Sequence, residues 1–101
     1  MSARRGCFTL RSTHGKTVRV CATIANGRIE HLTITGDFFG EPVEAFRKLA
    51  DELIGLGADD AEEIRKKVSG FLKENVKWIE GISEEDLGKA ILECVRRLSE
   101  N

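Results

Sequence analysis

The chain has 101 residues, 41% hydrophobic and 33% charged, and sixteen Lys and Arg against seventeen Asp and Glu leave a net charge of −1. This is one globular domain with a single core, without the basic excess of a general nucleic-acid or anionic-membrane binder. No apolar run approaches the roughly 18 residues that span a bilayer, and Met1-Ser2-Ala3-Arg4-Arg5-Gly6 leads into polar residues instead of a signal-peptide core, so a cytoplasmic protein is expected. Gln is absent, there are three Asn and one Met, and Glu, Lys and Arg abound, a mix that leans towards a thermophile's composition.

The first third is strand-like. Phe8 and Leu10 alternate with Cys7, Thr9 and Arg11. Val18, Val20, Ala22 and Ile24 then share a face opposite Arg19, Cys21 and Thr23, and a third segment offers Leu32 and Ile34. A turn at Thr13-His14-Gly15 that pairs Ser12 with Lys16 sets Leu10 against Val18 and Phe8 against Val20. For the second turn, a two-residue loop at Asn26-Gly27 would place Val20 opposite Thr33 and turn Leu32 and Ile34 away from the core. A three-residue loop, Ala25-Asn26-Gly27, pairs Val20 with Leu32 and Val18 with Ile34, so the three-residue loop is the expectation.

Three helices follow. Pro42 suits a first turn, with Val43, Phe46, Leu49, Ala50, Leu53 and Ile54 on one stripe that ends near Gly55 or Gly57. Asp59 with Glu62 resembles a capping pair ahead of Ile64, Val68, Phe71 and Leu72. Ser83 caps the last helix, with Ile82 and Leu87 as a hydrophobic staple and Leu87, Ile91, Cys94, Val95 and Leu98 as its buried stripe. Gly88 weakens that helix unless something packs closely there. Strands followed by helices predict a two-layer α+β fold, a three-stranded antiparallel meander with about three helices on one face. The expectation is one domain over 1–101, with the sheet at about 7–35 and helices at about 42–55, 60–74 and 84–99.

Few residues carry chemistry. Cys7, Cys21 and Cys94 show neither a CxxC nor a His at ligand spacing, which disfavours zinc. Cys94 reads as core. Cys7 and Cys21 fall directly opposite each other on the sheet face away from the helices, a site where Cα atoms approach within about 4.5 Å. They either bridge or remain two reduced strand residues, the second being the preferred reading. His14 and His31 have no nucleophile nearby. Lys16 follows Gly15 without the spacing of a phosphate loop and reads as a hairpin charge that could also meet an anion. Charged runs such as Glu62–Lys67 read as solvated helix faces. Trp78 reads as a plug closing the end of the core, or else as an interface contact. In Gly36-Asp37-Phe38-Phe39-Gly40-Glu41-Pro42, one phenylalanine is expected inside and the other at an edge, where it would suit a partner. The alternative is that both pack under the helices while Asp37 satisfies turn amides. No activated nucleophile, acid–base pair or metal cluster emerges.

The strings Gly15-Lys16-Thr17-Val18-Arg19-Val20, Asn26-Gly27-Arg28-Ile29 and Ile34-Thr35-Gly36-Asp37-Phe38-Phe39, with Ile82-Ser83-Glu84-Glu85-Asp86-Leu87, resemble the C-terminal accessory domain of lipoate–protein ligases. The resemblance covers the chain from about Phe8 onward, and the Gly-Asp-Phe-Phe string is its most specific part. It implies a fold like that of the sulfur-scaffold and sulfur-acceptor proteins of iron–sulfur assembly. It also implies a non-catalytic subunit of a bipartite, archaeal-type ligase, the initial Met suggesting the separate-subunit form. Such a subunit would pair with a catalytic subunit that binds ATP, Mg and lipoate, enable adenylation of lipoate, and act indirectly on a lipoyl acceptor domain, without nucleic acid, membrane or cofactor of its own. The expected contact segment is Gly36, Asp37, Phe38 and Phe39, with Lys16 as a helper. The alternatives are a thiol-based sulfur or iron–sulfur scaffold, which needs exposed low-pKa thiols, and an orphan protein-binding module.

Overall fold

The computed structural model describes residues 3–100. Strands β1 (Arg4–Arg11), β2 (Thr17–Ala25) and β3 (Arg28–Gly36) form an antiparallel sheet in the order β1-β2-β3. The first hairpin has the expected register, Leu10 opposite Val18 and Phe8 opposite Val20, closed by the Ser12 amide donating to the Lys16 carbonyl at 2.8 Å. Cys7 pairs with Cys21 at a Cα separation of 4.0 Å, and the two are joined as a disulfide instead of standing as reduced strand residues.

The second hairpin differs from expectation. Asn26 and Gly27 have φ of 55° and 75°, and they form a two-residue loop between paired Ala25 and Arg28. Asn-Gly is the dipeptide best able to place both central residues at positive φ, which is the turn that suits the twist of the flanking strands. The phase problem that this loop creates is solved further along. Ile24 pairs with Ile29, but Thr23 pairs with His31, so Glu30 is an extra residue in β3. That bulge returns Leu32 to the core face opposite Ala22, and Ile34 opposite Val20.

Helix α1 (Ala45–Glu52) starts three residues later than expected. The Ala45 amide donates to the Pro42 carbonyl in a turn that precedes the helix, so Val43 lies outside the buried stripe, 75% exposed, and Ile54, past the helix end, is 42% exposed. The chain then folds back along β3. The Ile29 amide donates to Leu56 O, and the Gly55 and Ala58 amides donate to Ile29 O and Gly27 O, covering the start of an otherwise open edge. Helix α2 (Ala61–Asn75) is capped by Asp60, whose carboxylate accepts from the Glu63 amide at 3.2 Å, one residue beyond the expected Asp59. Helix α3 (Glu84–Ser99) has the expected Ser83 cap, closed into a reciprocal box with Asp86, and the staple residues Ile82 and Leu87 are buried.

The helices cover one face of the sheet, giving the two-layer α+β architecture read from the sequence. Val18, Val20, Ile29, Leu49, Leu53, Ile64, Leu87 and Ile91 form the centre of the core. A feature absent from the sequence reading is a two-stranded ribbon, β4 (Phe39–Glu41) with β5 (Trp78–Glu80).

One polar network ties the first hairpin to α3. Buried Ser12 donates its hydroxyl to Asp86 Oδ2 and accepts from the His14 amide at 3.0 Å, while the same Asp86 oxygen accepts from the Ser83 amide at 3.1 Å. The Ser12 hydroxyl, then the Ser83 amide, hold the Asp86 carboxyl below its usual 3.8. The unfolded chain therefore takes up this proton at a higher pH than the folded one, so the contribution is complete above about pH 4 and is lost as pH falls through the folded value. Ser12→Ala is expected to cost about 1–2 kcal/mol at neutral pH and to flatten the acid limb of a denaturation series run from neutral to low pH. Gly70 on α2 and Gly88 on α3 have nothing within 4 Å of an added Cβ. Alanine at either position should raise the urea-unfolding free energy by about 0.5–1 kcal/mol.

Candidate partner-docking site

Beyond β3 the chain is held by Asp37. Its Oδ1 accepts from the Thr17 amide at 2.8 Å and from the Thr17 hydroxyl at 3.1 Å, and the amide bond is the main cause that lowers its pKa, with Lys16 a smaller contribution. Asp37 thus locks the exit of β3 onto the entry of β2. Gly36 fits because a Cβ there would stand 2.3 Å from the Thr17 carbonyl oxygen. On the adjoining loop, the Lys16 amide donates to Gly81 O at 3.1 Å, and the Lys16 stem lies where a Gly81 side chain would be. Gly36, Asp37, Phe38 and Lys16 are therefore brought together, mainly as structural fastenings.

The two phenylalanines part company. Phe38 turns inward, its ring meeting Phe46 edge-on at 5.1 Å between centroids. Phe39 turns outward and is 61% exposed. The β4–β5 register explains this: Phe39 faces Glu80, Gly40 faces Ile79, and Glu41 faces Trp78. Alternation puts Gly40 and Ile79 on the inner side and Phe39 and Trp78 on the outer side as diagonal neighbours. The Phe46 ring lies over Gly40, where a Cβ would come within 2.3 Å of it. Trp78 is 50% exposed and is not the plug expected from its sequence context. With Val43 close in sequence, this short stretch and its partner strand supply three of the four large hydrophobic side chains exposed among the described residues. Exposed aromatic side chains of this kind make the outer side of the ribbon a candidate contact surface, with Glu41 and Glu80 exposed beside them.

The sequence reading weighed Trp78 as a plug or an interface contact but missed the strand that carries it, because three residues of alternation are too short to signal one. The Gly81 that follows, at φ 97°, was the only local cue. The thiols offer little chemistry. Cys94 is buried, which pushes its thiol pKa up, and the other two are bonded to each other. Among the described residues no three His, Cys, Asp or Glu side chains are grouped as metal ligands, and no helix is long and apolar enough to cross a membrane.

The sequence matches the family described as the bacterial lipoate protein ligase C-terminus over residues 11–91. The chain belongs to that family. Its fold is also that of a chain in the solved archaeal lipoylation system of Thermoplasma acidophilum, described as a bi-partite lipoate protein ligase and its E2 lipoyl domain. The two share 24% identity and a TM-score of 0.77, over 89% of this chain and 97% of the other. No curated protein sequence matches the chain.

Gly40→Ala should displace the Phe46 ring, cost about 1–3 kcal/mol, and move the emission of Trp78, the single tryptophan, in the folded protein. An unchanged spectrum and stability would show that the ribbon does not depend on this contact.

Proposed function

We propose that this chain is a non-catalytic accessory subunit that pairs with a lipoate–protein ligase catalytic subunit and enables ATP-dependent adenylation of lipoate. The observation that carries the reading is the outward Phe39–Trp78 pair, held on a ribbon fastened by Phe38, Phe46 and Asp37, in a chain of the ligase C-terminal family. Coverage of 97% of a chain from a bi-partite system supports a separate subunit. ATP, Mg and lipoate belong on the catalytic partner, and a lipoyl acceptor domain is reached only through it. The accessory chain acts by favouring the partner conformation competent for adenylation, a population shift without added chemistry. Phe39 and Trp78 are the hydrophobic anchors, while Gly36, Asp37 and the Lys16 stem keep the ribbon in place.

A thiol-based sulfur scaffold fits less well, because the described thiols are either buried or mutually bonded.

The test follows pyrophosphate release from ATP and lipoate with the catalytic subunit, with and without this chain, and separately follows transfer from preformed lipoyl-adenylate. Adenylation is expected to need the chain and transfer to proceed largely without it. Phe39→Ala and Trp78→Ala should each weaken pairing by about 1–3 kcal/mol, roughly 5- to 150-fold, with the fold intact. Wild-type pairing by both variants would move the contact elsewhere, and adenylation indifferent to the chain would remove the reading.

A further inference from the structure

The near-zero net charge conceals a strong separation between the layers. Through Gly36 the chain holds six Lys and Arg against one acid, Glu30, whereas from Asp37 onward it holds ten against sixteen. The sheet layer is therefore at +5 and the remainder at −6. All five ion pairs among the described residues lie in the helical part, and the sheet's arginines have no carboxylate partner there.

The helices cover only one face of the sheet. Gly6, Leu10, Val18 and Val20 face them, so alternation turns Arg5, Arg11 and Arg19 to the other, open face. Arg11 pairs with Thr17, two residues from Arg19, which makes these two like charges diagonal neighbours with no acid between them. Among the described residues Arg19 donates only to the Thr9 hydroxyl, at 3.3 Å. The Cys7–Cys21 bond ties β1 to β2 in the middle of the same face, holding the arginines on a stiff platform.

We propose that this open sheet face is a second docking surface, for a carboxylate-rich protein surface. Three strands of about nine residues present roughly 400 Å² of face, from strand rise and spacing, about half of one partner's share in a standard stable interface. The contact is thus transient and salt-sensitive, with charge serving to steer and orient. A nucleic acid is the poorer occupant, since its continuous phosphates would run past so short a basic face onto the −6 remainder of the molecule. None of these arginines belongs to the Phe39–Trp78 ribbon, and the inference stands whether or not the chain serves a ligase.

The test titrates the full chain, isotope-labelled, with short poly-L-glutamate as the carboxylate probe and with duplex DNA as the phosphate probe, at low and at physiological salt. Poly-L-glutamate is expected to give saturable amide shifts centred on Thr9, Arg19 and Thr33, with affinity falling at least about tenfold as salt rises. The double variant Arg11→Glu/Arg19→Glu should lose that binding by tenfold or more, Arg11→Lys/Arg19→Lys should keep most of it, and Phe39→Ala should leave it unchanged. Absence of saturable shifts, shifts centred on the helices, retention by the charge-reversed variant, or tighter binding to DNA would each overturn the proposal.

Discussion

Ile29 and Leu32 lie three residues apart on one strand, yet both are buried in the same core. A regular strand cannot do this, because its side chains change face at every step. The extra residue Glu30 reconciles them, letting the tight Asn26-Gly27 loop and the apolar face of β3 coexist. With that phase set, Ile29 is central under the helices, and the return segment from Gly55 to Ala58 pairs with the edge beside it. The end of β3 also arrives at Gly36 opposite Val18, where Asp37 can reach Thr17. The β4–β5 ribbon is thus placed by a bulge some distance earlier in the chain.

Two polar fastenings complete the frame at the loop end of the first hairpin. Ser12 and Asp86 join it to the start of α3, and Thr17 and Asp37 join it to the exit of β3. Both use a carboxylate that accepts backbone amides as well as a hydroxyl, so each oxygen is oriented by more than one donor and holds its charge at neutral pH. Between them Lys16 packs on Gly81 and brings the ribbon's second strand to the same place. The exposed aromatics Phe39 and Trp78 therefore stand on hydrogen-bonded strands and not on a free loop.

The molecule presents two surfaces of different character. The outer side of the ribbon carries two exposed aromatics, Phe39 and Trp78, each opposite an exposed glutamate. The open sheet face is cationic and threonine-rich, suited to steering.

Much of this was legible in the chain itself. Alternation in β1 and β2, the Ser83 cap with its staple, and the helical stripes of Phe46–Leu53, Ile64–Leu72 and Leu87–Val95 are local patterns, and local patterns survive folding because neighbours along the chain remain neighbours. The register of β3 was not legible, since turn preference and hydrophobic phase gave opposite answers and only a bulge satisfies both. That one phenylalanine of the pair would turn in and the other out was one of two readings, but which one, and that Trp78 would be exposed instead of plugging the core, could not be read. Both outcomes depend on two three-residue strands, distant in sequence, meeting across Gly40 and Ile79. The sequence by itself determined the layer order, the core stripes, the facing cysteines and the Gly-Asp-Phe-Phe signature. The split of charge between a basic first third and an acidic remainder can also be counted along the chain, whereas only the tertiary structure decided which aromatics face outward, because that depends on Phe39–Glu41 meeting Trp78–Glu80 from far apart in sequence.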